Sequence, residues 1–188
     1  GGMEHMTRVP MFGPYLVKGA ISPNPCLSTD PDYKHWDIET STNMGLTAEK
    51  LFTQSGLSKE DMDRWGARAH QLASKAYQGG FFKDEILPVE AEQADGKNLV
   101  VDRDQAVRDD ATLEGMKDLK PAFKPDGVIT SGNSSPLNAA ASSMILMTRE
   151  KAKKRGIQPM ATIRSMGFAG VDPSIMGVGP VPASRMAL

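Results

Sequence analysis

The segment that most restricts how this chain can fold is 56–80, which carries start, body and stop signals for one long helix. It opens Gly56-Leu57-Ser58-Lys59-Glu60-Asp61, where Ser58 suits the N-cap and Glu60 and Asp61 put negative charge in the first turn, against the positive end of the macrodipole. Leu57 ahead of the cap and Met62 at the fourth helical position form a hydrophobic staple. Trp65, Ala69, Leu72, Ala73 and Ala76 follow at spacings of three and four and make the apolar stripe, and Gly79-Gly80 stops the helix.

What surrounds this helix is less regular. Residues 10–42 hold prolines at 10, 14, 23, 25 and 31 and sustain no period of 2 or 3.6, the pattern of a functional loop or an inserted region. Order resumes at 44–52, a short helix with Leu46, Leu51 and Phe52 facing inward. Beyond Gly80, 81–89 reads as extended, Asp95-Gly96 as a turn and 98–102 as a short strand. Leu113, Met116 and Leu119 mark a helical stretch ending at Pro121, and 128–135 is a polar, Gly-containing loop. Residues 139–147 are small and apolar, with 144–147 a buried strand or the end of a helix. Thr148 caps a basic helix that Gly156 ends, 160–166 reads as a strand, and 184–188 resembles the first turns of an amphipathic helix. Strand and helix signals alternate in the last third, which argues for an α/β layer preceded by a mixed, loop-rich insertion.

Charge and cysteine usage exclude several classes. With 22 basic and 23 acidic residues the net charge is -1, which gathers neither nucleic acid nor an anionic membrane, although a few local cations suffice for a small polyanion. The longest apolar stretch, around 139–147, is broken by Ser142 and Ser143 and is too short to span a bilayer. No basic segment followed by an apolar one opens the chain as a signal peptide would. One cysteine, Cys26, permits no internal disulfide and places the protein in a reducing, cytoplasmic compartment; within Ser22-Pro23-Asn24-Pro25-Cys26 it reads as an incidental loop thiol. The chain opens on Gly1-Gly2 and closes on Ser184-Arg185-Met186-Ala187-Leu188 with no helix stop, so both ends are expected to be internal to a longer protein.

Few side chains stand out as chemical groups. His70 sits within the long helix and reads as a helix-face residue. His35, near Asp30, Asp32 and Asp37, has no ligand spacing that fits a metal site, so no metal is expected. The most ligand-like segment is Ser131-Gly132-Asn133-Ser134-Ser135-Pro136, where small residues let a ligand approach the backbone and Asn and Ser supply donors and acceptors. By composition alone a tight polar turn between elements is the favoured reading. Neither a G-x-S-x-G elbow nor a phosphate-binding glycine loop is present. Gly177-Val178-Gly179-Pro180 is a rigid turn, since Pro180 lacks the N–H a phosphate cradle needs.

Five segments, in order, carry a resemblance that goes further. GGMEHMTRVPM at 1–11, Asn43-Met44-Gly45-Leu46-Thr47-Ala48-Glu49, Asp110-Ala111-Thr112-Leu113-Glu114 with Leu119-Lys120-Pro121-Ala122-Phe123, TSGNSSPLN at 130–138, and GVDPSIMGVGPVPASRMAL at 170–188 resemble motifs of the thiolase family of acyl-CoA acyltransferases. The resemblance implies a layered α/β fold of two similar halves with an inserted loop domain that holds coenzyme A. On that template 1–9 closes a strand of the N-terminal half, 10–125 is the loop domain, 126–157 returns to the N-terminal half and 158–188 begins the C-terminal half.

Carried over motif by motif, Ser135 hydrogen-bonds the pantetheine, Met44 packs on it, Phe123 lines the adenine side, and Arg108 faces the nucleotide. Coenzyme A is then a substrate, and no separate cofactor is implied. The family's reaction is a ping-pong acyl transfer through a cysteine thiolate, in the direction of 3-ketoacyl-CoA thiolysis or acetyl-CoA condensation. The nucleophilic Cys precedes the GGMEHM-like segment, while an Asn, a His and a second Cys follow the last motif present here, so the chain is expected to supply coenzyme A binding without those four groups. Full-length members are expected to be homodimers or homotetramers. The family's Asp-Gly after Leu-Asn reads Ala139-Ala140 here, and this favours an alternative, a non-catalytic thiolase-like protein that binds coenzyme A or acyl groups.

Overall fold

A computed structural model describes residues 2–5, 16–17, 20–21, 31–33 and 37–188. Cys26 and His35 lie outside the described residues. Helices and short antiparallel strands are mixed in an α/β arrangement, and the chain separates into two compact units, Gly1–Leu51 with Leu137–Leu188, and Phe52–Pro136.

In the first unit, strand β1 (Gly2–His5) pairs antiparallel with β6 (Ala139–Ser142), Gly2 opposite Ser142 and His5 opposite Ala139. The two-residue strands β2 (Leu16–Val17) and β3 (Ala20–Ile21) form a second antiparallel pair. Helix α1 (Ile38–Thr42) is capped by Asp37. Helix α2 (Met44–Ser55) starts where the Asn43 side chain accepts from the N–H groups of Gly45 and Leu46, at 3.0 and 3.2 Å. Gly45, Thr47 and Glu49 are its buried residues, while Leu46, Leu51 and Phe52 are half-buried.

Lys50 joins these helices to the C-terminal part of the unit. Its ammonium donates to Asp37 Oδ2 at 3.0 Å and to Ser174 Oγ at 2.5 Å. Ser174 in turn donates its N–H (2.8 Å) and its hydroxyl (2.7 Å) to Asp172 Oδ1. The 3-10 turn Pro173–Val178 is thereby fastened, and it leads into helix α6 (Pro180–Ala187), with Pro180 in the first turn where no N–H is needed. Helix α5 (Arg149–Lys154) is capped by Thr148 and stops before Gly156, as its sequence predicts.

Three strand expectations fail, each for a stated reason. Residues 160–166 form no strand: the segment runs along α6, with the Ser165 hydroxyl donating to the Ala187 carbonyl and Gly167 so close to the Ala183 carbonyl that a Cβ would have no room. Residues 144–147 are neither a strand nor a helix, and Met144, Ile145 and Leu146 are exposed, because β6 ends at Ser142 and no neighbouring strand among the described residues offers a ladder. Residues 81–85 are turns rather than extended chain, and Phe82 packs against Tyr77 at 4.9 Å between ring centroids.

The second unit is organised by α3 (Lys59–Gln78). Its N-terminus is a reciprocal capping box, in which Ser58 Oγ accepts from the Asp61 N–H and Asp61 Oδ2 accepts from the Ser58 N–H. Gly80, at φ +71°, takes the left-handed conformation that ends the helix. Strands β4 (Val89–Glu92) and β5 (Asn98–Val101) form a hairpin, turned at Gly96 with φ +78°. Helix α4 (Leu113–Lys117) is capped by Thr112 and buries Met116.

The inward face of α3 is not the apolar stripe. Trp65 is 68% exposed, and Ala69 and Leu72 also face outward. The side turned into the unit runs through Asp63, Ala67, His70, Ser74 and Tyr77, at spacings of four, three, four and three. Hydrogen bonds and close backbone approach, rather than apolar area, hold this face, as the candidate site makes explicit.

Candidate functional site

The ligand-like turn is built against the N-terminal half of α3. Ile129 and Thr130 are buried, and an isolated bridge pairs Thr130 with Pro121 while the Ala122 N–H donates to the Ile129 carbonyl at 2.9 Å. The chain then turns about Asn133. Its Oδ1 accepts from the Thr130 N–H at 2.8 Å, and its Nδ2 donates to the Val128 carbonyl and to Asp63 Oδ1, both at 3.0 Å. The amide orientation is unambiguous, since two of these partners only accept and the third only donates. Thr130 Oγ1 accepts from the Gly132 N–H at 3.2 Å, and the Ser134 hydroxyl donates to the Thr130 carbonyl at 2.6 Å.

Asp63 anchors this turn to the helix. It is 1% exposed, and its second oxygen accepts from the Lys59 ammonium one helical turn earlier, at 2.5 Å. Lys59 also donates to the Met116 and Lys117 carbonyls at 3.3 Å, at the last turn of α4, where a cation meets the negative end of the helix. Gly132 sits against Leu119 and Met116, with room for no side chain: a Cβ there would be 2.6 Å from Leu119 Cδ1.

A second segment, 103–111, lies on the C-terminal half of the same face. The Tyr77 hydroxyl accepts from the Asp104 N–H at 2.9 Å, and His70 Nδ1 accepts from the Arg108 N–H at 3.3 Å. The Gln71 amide donates to the Ala111 carbonyl at 3.1 Å, and the Ser74 hydroxyl donates to Asp109 Oδ1 at 2.6 Å. Arg103 grips Asp109 with both terminal nitrogens, at 2.9 and 2.6 Å, while its guanidinium stacks 5.0 Å over the Tyr77 ring. The Arg103 hydrogen bonds, and then the one from Ser74, hold the Asp109 carboxyl down at about 2.

Three of the four residues singled out in the sequence belong to this unit. Ser135 follows the fastened turn, is exposed and has no hydrogen-bond partner among the described residues. Phe123, 42% exposed, stands just past the bridged Pro121. Arg108 projects an exposed side chain from the segment that His70 holds. Met44, the first residue of α2 and 70% exposed, belongs to the first unit. Asp63 and Lys59 escaped the sequence reading. The signal present was a Lys–Asp pair four residues apart, in register with Ala67 and Ser74 rather than with the apolar stripe. Among the described residues no three His, Cys, Asp or Glu side chains are placed to hold a metal ion, and no helix is long and apolar enough to cross a membrane.

Comparison with known proteins gives three consistent findings. The profile of the family described as "Thiolase, N-terminal domain" matches residues 1–150. A curated 3-ketoacyl-CoA thiolase of Stutzerimonas stutzeri (strain A1501) is 47% identical over 189 residues, covering 100% of this chain and 45% of the relative. The crystal structure of the Bacillus anthracis acetyl-CoA acetyltransferase superposes with a TM-score of 0.72 and 45% identity, over 77% of this chain and 36% of that one. The chain thus spans less than half the length of the proteins it matches.

Proposed function

The chain belongs to the thiolase family, and from that premise we propose that it is the coenzyme A-holding portion of an acyl-CoA C-acyltransferase. The observation that carries this reading is the inward face of α3, which fastens both the turn leading to Ser135 and the segment bearing Arg108 by side-chain hydrogen bonds. An exposed serine beyond a rigid turn suits a pantetheine amide, an exposed phenylalanine suits an adenine face, and an exposed arginine suits phosphate. Met44, in the first unit, is assigned to the pantetheine arm by the motif resemblance. The assignments rest on the motif resemblance and on the exposure of these four side chains.

In the reaction proposed for the whole protein, a cysteine thiolate takes up an acyl group as a thioester. In condensation it attacks the carbonyl of an acyl-CoA, the bond to the coenzyme A sulfur breaks, and an acetyl-CoA carbanion then attacks the thioester and frees the thiolate. In thiolysis it attacks the 3-keto carbonyl of a 3-ketoacyl-CoA, the C2–C3 bond breaks with protonation of the departing acetyl-CoA carbanion, and a coenzyme A thiol then takes the acyl group, with oxyanion stabilisation in each step. Of these tasks the present residues take coenzyme A binding; the nucleophilic Cys, the Asn, the His and the second Cys belong to sequence on either side. Residues 10–125 correspond to the loop domain, 1–9 and 126–157 to the N-terminal half, and 158–188 to the start of the C-terminal half. Coenzyme A serves as substrate without a metal, the setting is cytoplasmic, and the full protein is a homodimer or homotetramer.

A second reading, a thiolase-like protein that binds coenzyme A or acyl groups without catalysis, draws on one observation. Where the family has Asp-Gly, Ala139 and Ala140 stand in β6, paired with His5 and Glu4. The coding sequence around the chain separates the two. A cysteine within about a hundred residues upstream and the Asn- and His-bearing motifs downstream support the acyltransferase, and stop codons there sink it. The 188-residue chain itself is expected to show no thiolysis of acetoacetyl-CoA, and measurable turnover overturns the assignment of chemistry to groups outside it.

A further inference from the structure

We infer that Asp63 is a positioning residue for coenzyme A binding, acting on Ser135 through Asn133; the inference rests on the coenzyme A reading above. Asp63 touches no exposed surface that a ligand can reach, being 1% exposed, so any effect on binding is indirect. Both of its oxygens are committed, one to Asn133 Nδ2 at 3.0 Å and the other to the Lys59 ammonium at 2.5 Å. Asn133 passes this constraint to the backbone, because its remaining side-chain contacts are the Thr130 N–H and the Val128 carbonyl, both on the chain entering the turn. The turn cannot slide toward the helix, where Gly66 and the Gly132 carbonyl already touch, nor away from it without breaking the carboxylate–amide bond.

The chemistry of the anchor argues for position rather than stability. A buried ion pair contributes little net stability, because desolvation offsets its attraction, whereas it does specify one arrangement of the groups it joins. An apolar contact between helix and turn would tolerate small displacements. A carboxylate that must meet an amide on one side and an ammonium on the other does not, since misalignment leaves buried polar groups unpaired. Ser135, two residues past Asn133, is the first exposed side chain after this joint.

Asp63→Asn tests the inference while keeping shape and volume: the new amide still offers an acceptor to Asn133, but its NH2 faces the Lys59 ammonium, donor against donor. Coenzyme A is titrated calorimetrically into the 188-residue chain and its D63N, S135A and D63N/S135A forms. Removing the Ser135 hydrogen bond is expected to weaken binding about fivefold, and D63N by up to about the same factor, since displacing the serine costs no more than removing it. If Asp63 acts through Ser135, the double variant is also about fivefold weaker; independent effects multiply to about twenty-fivefold and overturn the inference. Unchanged affinity in D63N overturns it as well. Unchanged affinity in S135A overturns both this inference and the coenzyme A reading, whereas a weakened S135A with multiplying effects overturns this inference alone. Should D63N lose its helical circular dichroism, Lys59→Gln, altering a partly exposed side chain of the same joint, is carried through the same cycle and judged by the same criterion.

Discussion

Gly66 on α3 meets the carbonyl of Gly132 so closely that a Cβ added to Gly66 would lie 2.5 Å from that oxygen. Helix and turn therefore touch backbone to backbone, and the side chains around them are arranged to keep that contact. Gly66→Ala sets two effects against each other. Alanine gains about 1 kcal/mol of helix propensity, while the forced separation costs about 1–3 kcal/mol as overpacking does elsewhere. A lower urea midpoint is expected, and a raised midpoint contradicts the contact.

The two faces of α3 make opposite forecasts. Trp65→Gln, on the outward face, should change the stability of the isolated chain by less than about 0.5 kcal/mol. Asp63→Ala, which removes the partner of Asn133 and Lys59, should cost about 1–3 kcal/mol. Chemical denaturation of the two variants compares them directly, and a larger loss for Trp65→Gln would reverse the assignment of the faces.

Acid should loosen the Arg108 segment. Asp109 is held down at about 2 from the ordinary 3.8, so its contribution is fully present above about pH 4 and is lost as pH falls through about 2. Arg103, which grips Asp109, also stacks on Tyr77, so the near-ultraviolet circular dichroism of the tyrosine reports the change. Asp109→Asn should show the altered signal already at neutral pH. An acid titration identical in the two proteins contradicts the link.

The capping box gives a simpler check. Ser58→Ala removes the hydroxyl that accepts from the Asp61 N–H at 3.1 Å, leaving that N–H only the Ser58 carbonyl at 3.2 Å, and should destabilise the helix by about 1 kcal/mol, read as a lower thermal midpoint.

How much of this was legible in the sequence depends on what holds each element. Ser58, Asp61 and Gly80 act locally, so the limits of α3 were readable from residue types alone, as were the Gly96 turn and the Thr148 cap of α5. The inward face of α3 was not. Apolar spacing selected Trp65, Ala69 and Leu72, whereas the packed face carries Asp63, His70 and Ser74, whose partners at Asn133, Arg108 and Asp109 lie 70, 38 and 35 residues away in the chain. Periodicity registers hydrophobicity and has no access to hydrogen bonds of that reach. The strands expected at 144–147 and 160–166 fail likewise, since a strand exists through its neighbour and an apolar run does not reveal whether one is present. In the site, Ser135, Phe123, Met44 and Arg108 were reached through motif resemblance, and composition alone left 131–136 as an ordinary polar turn. Asp63 and Lys59 were missed because nothing marks a charged pair within a helix as buried until its partners are placed.

The central claim is that these residues hold coenzyme A, and equilibrium titration of coenzyme A into the 188-residue chain tests it most directly. The account predicts saturable binding at one site, weakened by Phe123→Ala and Arg108→Ala, with salt reducing the affinity through the arginine–phosphate contact. Absence of saturable binding by a chain whose circular dichroism shows the helices formed would contradict it.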